Sequence, residues 1–357
     1  MTSPLDIIKP AVRALRAYTL SPYRAAVKIN QNENPWDAPQ EIKDEVLRRF
    51  AARQWSRYPD FVPQSLHEAL ANFAGWKEDG VIAGNGSNEL IQGVLMVTVG
   101  PGKRVLISEP TFALYRQVAT VLGGEVVSVL LTPELTYDVA ALLATIEQQQ
   151  PDVTIICSPN NPTGCVIDAV DLQRLLRASR GWVVIDEAYH EFARASVMPL
   201  LEEHENLVVL RTFSKAMAFA ALRVGYLLAA PQLVREIRKA VLPYNLNAFS
   251  QLAAEIALER YPSLLGPTVD AIIEERDRLY LEVAKIPGLD PRKSLANFMV
   301  VKSATDVTRI FQELLQREIL VRDVSGYPLL SEYFRFSVGT PEENDRLLRA
   351  LNEIQNH

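Results

Sequence analysis

Short runs of aliphatic, mostly β-branched residues recur along the first two thirds of the chain, and they restrict its fold more than any other feature. Their apolarity is continuous rather than alternating, and helical patterns lie between them. Strands of this composition are covered on both faces, as in parallel sheets whose crossover helices pack on either side. We therefore predict an α/β fold with a mainly parallel central sheet flanked by helices. The predicted strands are residues 104–108, 126–130, 153–157, 182–186, 207–211 and 224–228.

The pattern changes after residue 246. A long helical stretch covers residues 248–284, with interruptions near Pro262 and Pro267, because proline disturbs a helix interior. Strands and amphipathic helices then alternate, a pattern that predicts a smaller α+β domain at the C-terminal end. The expected divisions are an N-terminal arm at 1–28, a large domain at 29–246 and a small domain at 247–357.

Composition argues against several classes of protein. With 48% hydrophobic and 22% charged residues, the 357-residue chain has an ordinary globular balance. Its net charge of -6 and lack of a basic run argue against nucleic acid or an anionic membrane as the main partner. Charged residues interrupt the first twenty positions and no later apolar run reaches membrane-spanning length, so we expect a cytoplasmic protein. Two cysteines and four scattered histidines predict neither disulfides nor a metal site.

One lysine lies in a turn that is rich in hydroxyl groups. Residues 211–226 (RTFSKAMAFAALRVGY) place Lys215 beside Thr212 and Ser214, with Arg223 eight residues further on. A lysine amine condenses with aldehydes, while hydroxyls and a guanidinium hold phosphate groups. Pyridoxal 5′-phosphate (PLP) carries both an aldehyde and a phosphate, so the segment suits this cofactor. Taken alone, it is equally compatible with a solvated lysine between two apolar runs.

Further polar residues follow neighbouring predicted strands. Asn161 comes after the strand at 153–157, Asp186 ends the strand at 182–186, and Tyr189 follows closely. Ligands bind at this edge of open α/β sheets. A carboxylate at the end of a buried strand requires a cationic partner, although Asp186 could instead cap the next helix. Asn161 also fits an ordinary turn, and Tyr189 could be a core residue.

With these motifs in place, the chain resembles the fold-type I PLP-dependent enzymes, and among them the histidinol-phosphate branch of the class I and II aminotransferases. The resemblance covers nearly the whole chain. Besides the motifs above, the matching segments are LSPY (20–23), NENP (32–35), RYPD (57–60), GNGSNE (84–89), VRD (321–323) and RFSVGT (335–340). The resemblance implies PLP as the cofactor. It also implies a small amino donor and a 2-oxo acid as substrates, and histidinol phosphate and 2-oxoglutarate are the expected pair.

The resemblance also implies catalytic roles for three residues. Lys215 holds the cofactor and then transfers a proton, Asp186 pairs with the pyridine nitrogen, and Tyr189 bonds the phenolic oxygen of the ring. The residues implied in cofactor binding are Tyr58, Ser87, Asn88, Phe112, Asn161, Asp186, Tyr189, Thr212, Ser214, Lys215 and Arg223. The residues implied in substrate binding are Tyr23, Asn34, Arg322 and Arg335.

The cofactor assignments of Tyr58 and Phe112 also have simpler alternatives. Tyr58 matches a tyrosine that crosses a dimer interface to the phosphate of the neighbouring subunit, which implies a homodimer, but a loop tyrosine before Pro59 is unremarkable. Phe112 matches an aromatic ring stacked on the pyridine, and the alternative is an ordinary core residue. Ser87 and Asn88 begin a predicted helix after two glycines, where backbone N–H groups are free to bind an anion.

The implied substrate residues are mainly groups that bind anions. Arg335 lies in an alternating strand, and its planar guanidinium suits bidentate capture of a carboxylate. Arg322 and Tyr23 match positions that bind the substrate phosphate in the histidinol-phosphate branch of the family. The alternatives are a surface position on an edge strand for Arg335, a surface position at a strand end for Arg322, and packing of the arm on the small domain for Tyr23. Trp36 replaces a smaller or phenolic residue after NENP, and its role is open.

Other activities share the same cofactor residues. An aromatic amino acid aminotransferase would differ only in the side-chain pocket. A threonine-phosphate decarboxylase, a related lyase, would also bind phosphate but would release carbon dioxide. A non-enzymatic cofactor-binding regulator is disfavoured, because no additional DNA-binding domain fits within this length.

Overall fold

The computed structural model describes residues 3–17 and 22–356, so Leu20 and Ser21 of the LSPY segment lie outside the described residues. The helices are α1 (Pro10–Ala14), α2 (Gln40–Ala51), α3 (Gln64–Ala74), α4 (Ser87–Thr98), α5 (Leu114–Leu122), α6 (Val139–Gln149), α7 (Ala169–Ala178), α8 (His190–Ala193), α9 (Pro231–Ile237), α10 (Ala248–Arg260), α11 (Gly266–Val283), α12 (Val307–Gln316) and α13 (Pro341–Gln355). The strands are β1 (Val27–Lys28), β2 (Val81–Gly84), β3 (Arg104–Glu109), β4 (Glu125–Leu130), β5 (Val153–Cys157), β6 (Trp182–Asp186), β7 (Leu207–Thr212), β8 (Gly225–Ala229), β9 (Leu289–Pro291), β10 (Phe298–Ser303), β11 (Ile319–Leu320), β12 (Arg322–Asp323) and β13 (Tyr333–Ser337).

The central sheet confirms the predicted α/β fold. Within the described chain its strands lie in the order β2-β8-β7-β6-β5-β3-β4. The strands from β3 to β7 run parallel, whereas β8 is antiparallel to both of its neighbours. Helices α5, α6 and α7 connect successive parallel strands, as parallel pairing requires. Strand β2 is not among the predicted strands, because it contributes only four residues at the edge of the sheet.

Neighbouring residues of each central strand face two different apolar layers. In β6, Val183 and Ile185 pack in the layer that contains α3 and α10, while Val184 packs in the layer with α4 and α5. All three side chains are buried, and full burial of each stabilises the fold by roughly 1.5–3 kcal/mol. This double coverage is the reason for the continuous apolarity of the strand sequences.

A second, antiparallel sheet lies in the C-terminal part, with the strand order β12-β13-β10-β9. Strand β13 lies between β12 and β10, and all five of its residues are buried. Arg335 is therefore on an interior strand, not on the exposed edge strand considered as an alternative. Strand β1 of the N-terminal segment pairs with β11 and joins this part of the molecule.

The long helical stretch is interrupted where its prolines predict. Helices α10 and α11 are separated by a single π-helical turn, Tyr261–Leu265, which contains Pro262. Buried side chains of α10 pack with the central sheet, whereas those of α11 pack with the C-terminal sheet. We therefore propose that the boundary between the large and small domains lies at this turn, after α10, rather than near residue 246.

The beginning of the N-terminal arm packs on the central part of the molecule. Lys9 Nζ, next to α1, donates a hydrogen bond of 2.9 Å to the carbonyl of Val121 in α5. The end of the arm meets the small C-terminal part, where the ring of Tyr23 lies 6.0 Å from that of Phe311 in α12. No helix within residues 3–17 and 22–356 is long and apolar enough to cross a membrane.

The start of α4 lies directly against β8, and this contact yields a stability prediction. A Cβ atom added to Gly225 would lie 2.3 Å from the backbone nitrogen of Ser87 and 2.6 Å from the carbonyl carbon of Gly86. Neither backbone atom can move without displacing the helix. We expect Gly225→Ala to lower the free energy of unfolding by about 1–3 kcal/mol, measured by urea denaturation.

Gly93→Ala provides the matched control for this substitution. Gly93 lies in the middle of α4, and its added Cβ would be 3.7 Å from the nearest atom, a methyl group of Val241. Alanine has the higher helix propensity, so stability should stay equal or rise by up to about 1 kcal/mol. Equal effects of the two substitutions would contradict the proposed backbone contact.

Candidate active site

A cavity of about 440 Å³ lies between the central sheet and the C-terminal sheet. Most of the residues implied by the sequence line it: Ser87, Asn88, Phe112, Asn161, Asp186, Tyr189, Thr212, Ser214, Lys215, Arg223, Arg322 and Arg335. Several lining residues were not predicted, among them Asn30, Gln31, Asn32, Tyr115 and Tyr327. The cavity therefore combines residues that are far apart in the sequence.

Strand topology explains this convergence. Asp186 is the last residue of β6, Thr212 is the last residue of β7, and Asn161 follows β5. Because β5, β6 and β7 are parallel neighbours, their carboxyl ends meet at one edge of the sheet. Polar groups gather at this edge because apolar layers cover both faces.

Lys215 lies just beyond β7 and directs its amine into the cavity. Its Nζ atom donates a hydrogen bond of 3.0 Å to the carbonyl of Gln31. Burial, helped by the nearby Arg335 guanidinium, lowers the pKa of Lys215 to about 8. A substantial fraction of the amine is then uncharged at mildly alkaline pH, and the uncharged amine is the nucleophile that an aldehyde requires.

Asp186 is buried and receives a hydrogen bond from a residue that sequence reasoning missed. The hydroxyl of Tyr115 donates to Oδ2 of Asp186 at 2.6 Å, and the N–H of Ala188 donates to Oδ1 at 3.1 Å. Burial raises the pKa of Asp186, while the Tyr115 bond acts in the opposite direction. Tyr115 follows Phe112 by three residues, and this aromatic spacing at the start of α5 was the available signal. The carboxylate is thus placed to stabilise a cationic ring.

The opposite end of the cavity has the groups of an anion site. Arg223 Nη1 donates to the hydroxyl of Ser214 at 3.2 Å, and Thr212 donates to the same hydroxyl at 3.0 Å. Helix α4 begins at Ser87, so its first N–H groups are free for a ligand. A Cβ on Gly86 would lie 2.5 Å from Arg223 Nη2 and would displace the guanidinium, and the φ of 78° at this position also favours glycine.

Taken together, these groups fit PLP. The cavity provides a nucleophilic amine, a buried carboxylate for a ring nitrogen, an aromatic side chain at Phe112 and an anion site for a phosphate. These groups correspond in turn to the aldehyde, the pyridine nitrogen, the pyridine ring and the phosphate of the cofactor.

The C-terminal sheet supplies the other wall. Arg335 donates to Oδ1 of Asn161 at 2.5 Å and to the carbonyl of Asn30 at 2.9 Å. Tyr189 packs edge-on against Phe298, and burial raises its pKa, so the phenol stays protonated. These contacts connect residues of both sheets around one cavity.

Two arginines face this cavity from neighbouring strands. Arg322 of β12 pairs with Arg335 of β13 in the antiparallel register. Among the described residues, Arg322 has no carboxylate within salt-bridge distance. Like charges placed opposite each other are unfavourable unless an anion lies between them. The pair therefore forms a second candidate site for an anionic group.

Three of the implied residues do not line the cavity, and two of them are the tyrosines Tyr58 and Tyr23. Tyr58 is 80% exposed and stacks on Tyr244 with ring centroids 4.6 Å apart. Tyr23 is half exposed beside Phe311 and does not line the cavity. The phosphate-binding roles that the resemblance implies for both tyrosines stay predictions.

Asn34 contacts the lysine turn from behind. Its Nδ2 atom lies 3.3 Å from the carbonyls of both Lys215 and Ala216, and its Oδ1 accepts from the backbone N–H of Trp36. It is not among the residues that line the cavity with Lys215. These bonds hold the backbone of the turn, and the substrate role implied for Asn34 stays a prediction.

Comparison with known proteins identifies the family. Residues 24–351 match the model of aminotransferase class I and II. The chain belongs to this family. It is 40% identical over 349 residues to the histidinol-phosphate aminotransferase of Chlorobium phaeovibrioides, covering 97% of this chain and 96% of that relative. It is equally similar, at 40% over 351 residues and 98% of both chains, to the histidinol-phosphate aminotransferase of Chlorobium limicola.

A solved structure shows the same fold. The histidinol-phosphate aminotransferase of Sinorhizobium meliloti, determined in complex with pyridoxal-5′-phosphate, superposes with a TM-score of 0.87 at 25% identity over 98% of both chains. The prediction of a fold-type I aminotransferase of the histidinol-phosphate branch is therefore confirmed.

The lowered pKa of Lys215 predicts the pH dependence of its reactivity. A protonated amine does not attack an aldehyde, so labelling of Lys215 should rise as the pH increases through about 8 and then level off. An ordinary lysine, with a pKa of about 10.4, would continue to gain reactivity well above this range. The measurement is reductive labelling of the apoprotein with a small aldehyde, quantified by peptide mass spectrometry. A Lys215 inflection more than about 1.5 units higher would contradict the burial argument.

Proposed function

We propose that this class I and II aminotransferase is a PLP-dependent histidinol-phosphate:2-oxoglutarate aminotransferase. The observation that carries the proposal is the facing pair Arg322 and Arg335, which share a cavity with the Lys215 amine. The identity of 40% over nearly the whole chain to histidinol-phosphate aminotransferases supports the same substrate. When bound, PLP withdraws electrons from the Cα atom of the amino donor and carries the amino group to the acceptor.

The residues around the anion site hold the cofactor phosphate in this proposal. The N–H groups at the start of α4, the hydroxyls of Thr212 and Ser214 and the guanidinium of Arg223 are all donors. Such charged hydrogen bonds contribute roughly 1.5–3 kcal/mol each. Asp186, held by Tyr115, stabilises the positive charge of the ring at the other end.

Lys215 acts as the proton carrier. Its pKa, lowered to about 8, is closer to neutral pH than that of an ordinary lysine, and a general acid/base is most effective when its pKa lies near the operating pH. The amine loses a proton readily and accepts one readily, so it can remove the Cα proton of the substrate and return it nearby. The Gln31 carbonyl keeps the amine directed into the cavity.

Asn161 and Tyr189 are the proposed donors to the phenolic oxygen of the ring. The guanidinium of Arg335 can only donate, so the atom of Asn161 that faces it must be the amide oxygen. The Nδ2 group of Asn161 is therefore left to donate elsewhere. In this way Arg335 affects the cofactor site as well as the substrate site.

The arginine pair distinguishes this proposal from the aromatic alternative. Histidinol phosphate has a phosphate ester and no α-carboxylate, and glutamate has two carboxylates. A guanidinium pair suits each of these anions, whereas an aromatic amino acid has only its α-carboxylate and would bring a neutral side chain to Arg322. Threonine phosphate, the substrate of the alternative decarboxylase, also contains a phosphate. Release of carbon dioxide distinguishes that reaction from amino-group transfer.

We predict that kcat/KM for histidinol phosphate exceeds that for phenylalanine or tyrosine by orders of magnitude. Loss of one charged contact in Arg322→Met should raise KM for histidinol phosphate by about tenfold to a hundredfold, with a much smaller effect on unphosphorylated donors. Steady-state assays with each donor measure this. Arg346→Met, at an exposed position of α13, is the control and should change neither value. Comparable kcat/KM for phosphorylated and aromatic donors would contradict the substrate assignment.

We also propose that the enzyme is a homodimer in which Tyr58 reaches the neighbouring site. The support is a group of exposed aromatic side chains, Trp55, Tyr58, Phe61 and Tyr244, of which the last three are in ring contact with one another through Tyr244. Sedimentation should show a dimer that Trp55→Glu dissociates, and Tyr58→Phe should weaken PLP binding about tenfold without changing the mass. A monomeric unmodified protein would rule this assembly out.

Cytoplasmic location stays a prediction.

A further inference from the structure

The NENP segment contains a buried asparagine to which neither the motifs nor the proposed function gives a role. Asn32 is 2% exposed and lies between the two sheets. Its φ of 55° is in the left-handed region, which asparagine adopts more readily than most residues. The side chain of Asn297 donates to its carbonyl at 3.2 Å, so the backbone is held in this conformation.

The hydrogen bonds of Asn32 favour one direction, because the reversed amide would make the buried Ser337 hydroxyl accept two bonds and leave its own proton without an acceptor among the described residues. Its backbone N–H donates to the hydroxyl of Ser337 at 2.7 Å, and a backbone N–H cannot accept. The hydroxyl proton of Ser337 is thereby available for Oδ1 of Asn32, 3.3 Å away. With its oxygen on this side, the amide directs Nδ2 to the hydroxyl of Tyr189 and donates at 3.0 Å.

This direction determines what the Tyr189 hydroxyl can do. Because its oxygen accepts from Asn32, its own proton must point elsewhere. Within the described part of the chain, no acceptor lies within hydrogen-bond distance for that proton, and Tyr189 lines the cavity. Burial keeps the phenol protonated by raising its pKa. Tyr189 is thus a hydrogen-bond donor whose proton is directed into the cavity.

We propose that Asn32 is a positioning residue that makes Tyr189 a donor to an oxygen bound in the cavity, and that Ser337 ties this donor to the strand of Arg335. Ser337 lies two residues after Arg335 in β13, so the substrate-side arginine and the Tyr189 donor share one rigid element. The inference rests on the proposed function, under which the bound oxygen is the phenolic oxygen of PLP.

Other charged or titratable groups also surround Tyr189. Asp186 and Cys157 approach it from the central sheet and Arg335 from the C-terminal sheet, and Lys215 Nζ lies 5.9 Å from the centre of its ring. Substitution of Asn32 changes none of these groups. A change in the cofactor environment can therefore be assigned to Asn32 when Tyr189 itself is varied in parallel.

The test is the pH midpoint of the visible absorption change of the PLP-loaded protein. A donor at the phenolic oxygen favours its ionised form and lowers this midpoint. Asn32→Gly removes the amide without backbone strain, because glycine adopts positive φ freely. Asn32→Asp keeps the size but replaces the donor by an acceptor, which would take the Tyr189 proton away from the cavity.

We expect Asn32→Asp to raise the midpoint by about one unit, close to the effect of Tyr189→Phe, and Asn32→Gly to raise it less. In a Tyr189→Phe background, Asn32→Asp should add little. Asn297→Ala, which removes a bond to the backbone of Asn32 but not the bond to Tyr189, should leave the midpoint unchanged.

Two results would overturn the inference. One is an equal shift from Asn297→Ala and Asn32→Gly, which would indicate a merely structural role. The other is a shift from Asn32→Asp that is as large without the Tyr189 hydroxyl as with it, which would indicate a charge effect. Absence of PLP absorption in the unmodified protein would instead contradict the proposed function, and this inference would fall with it.

Discussion

The covering of the central sheet on both faces is the constraint on which the rest of the structure depends. With apolar layers on either side, as at Val183 and Val184, polar groups are excluded from the sheet except where strands end. The parallel strands β5, β6 and β7 end at one edge, and the cavity lies there. The same burial raises the pKa of Asp186 and lowers that of Lys215. The fold thus creates both the position and the reactivity of the site.

The C-terminal sheet completes the site by adding groups that the central sheet lacks. Its strands β12 and β13 provide the facing arginines Arg322 and Arg335, and β13 also carries Ser337. Residues 30–32 lie between the two sheets and accept hydrogen bonds from Arg335 of the C-terminal sheet and from Lys215, just beyond β7. A short, mostly buried segment therefore contacts both Arg335 and Lys215, the residues proposed for substrate binding and proton transfer.

The sequence predicts the features that depend on local pattern. Continuous apolar runs predict the central strands, prolines predict the break between α10 and α11, and motifs locate Lys215 and Asp186. It does not predict Tyr115 or Asn32, because their partners Asp186 and Ser337 lie 71 and 305 positions away. Nor does local pattern show that α10 belongs to the large core. Such contacts follow from the packing of whole elements, which periodicity alone does not describe.

The central claim is that this cavity transfers an amino group from a phosphorylated donor. A half-reaction on the PLP-loaded protein tests this claim most directly. Histidinol phosphate is added without an acceptor, and the visible spectrum and released gas are recorded. The account predicts stoichiometric conversion of the cofactor to its amine form, no carbon dioxide, and full reversal by 2-oxoglutarate. An unchanged spectrum with histidinol phosphate, alongside conversion by an aromatic amino acid or carbon dioxide release from threonine phosphate, would contradict it.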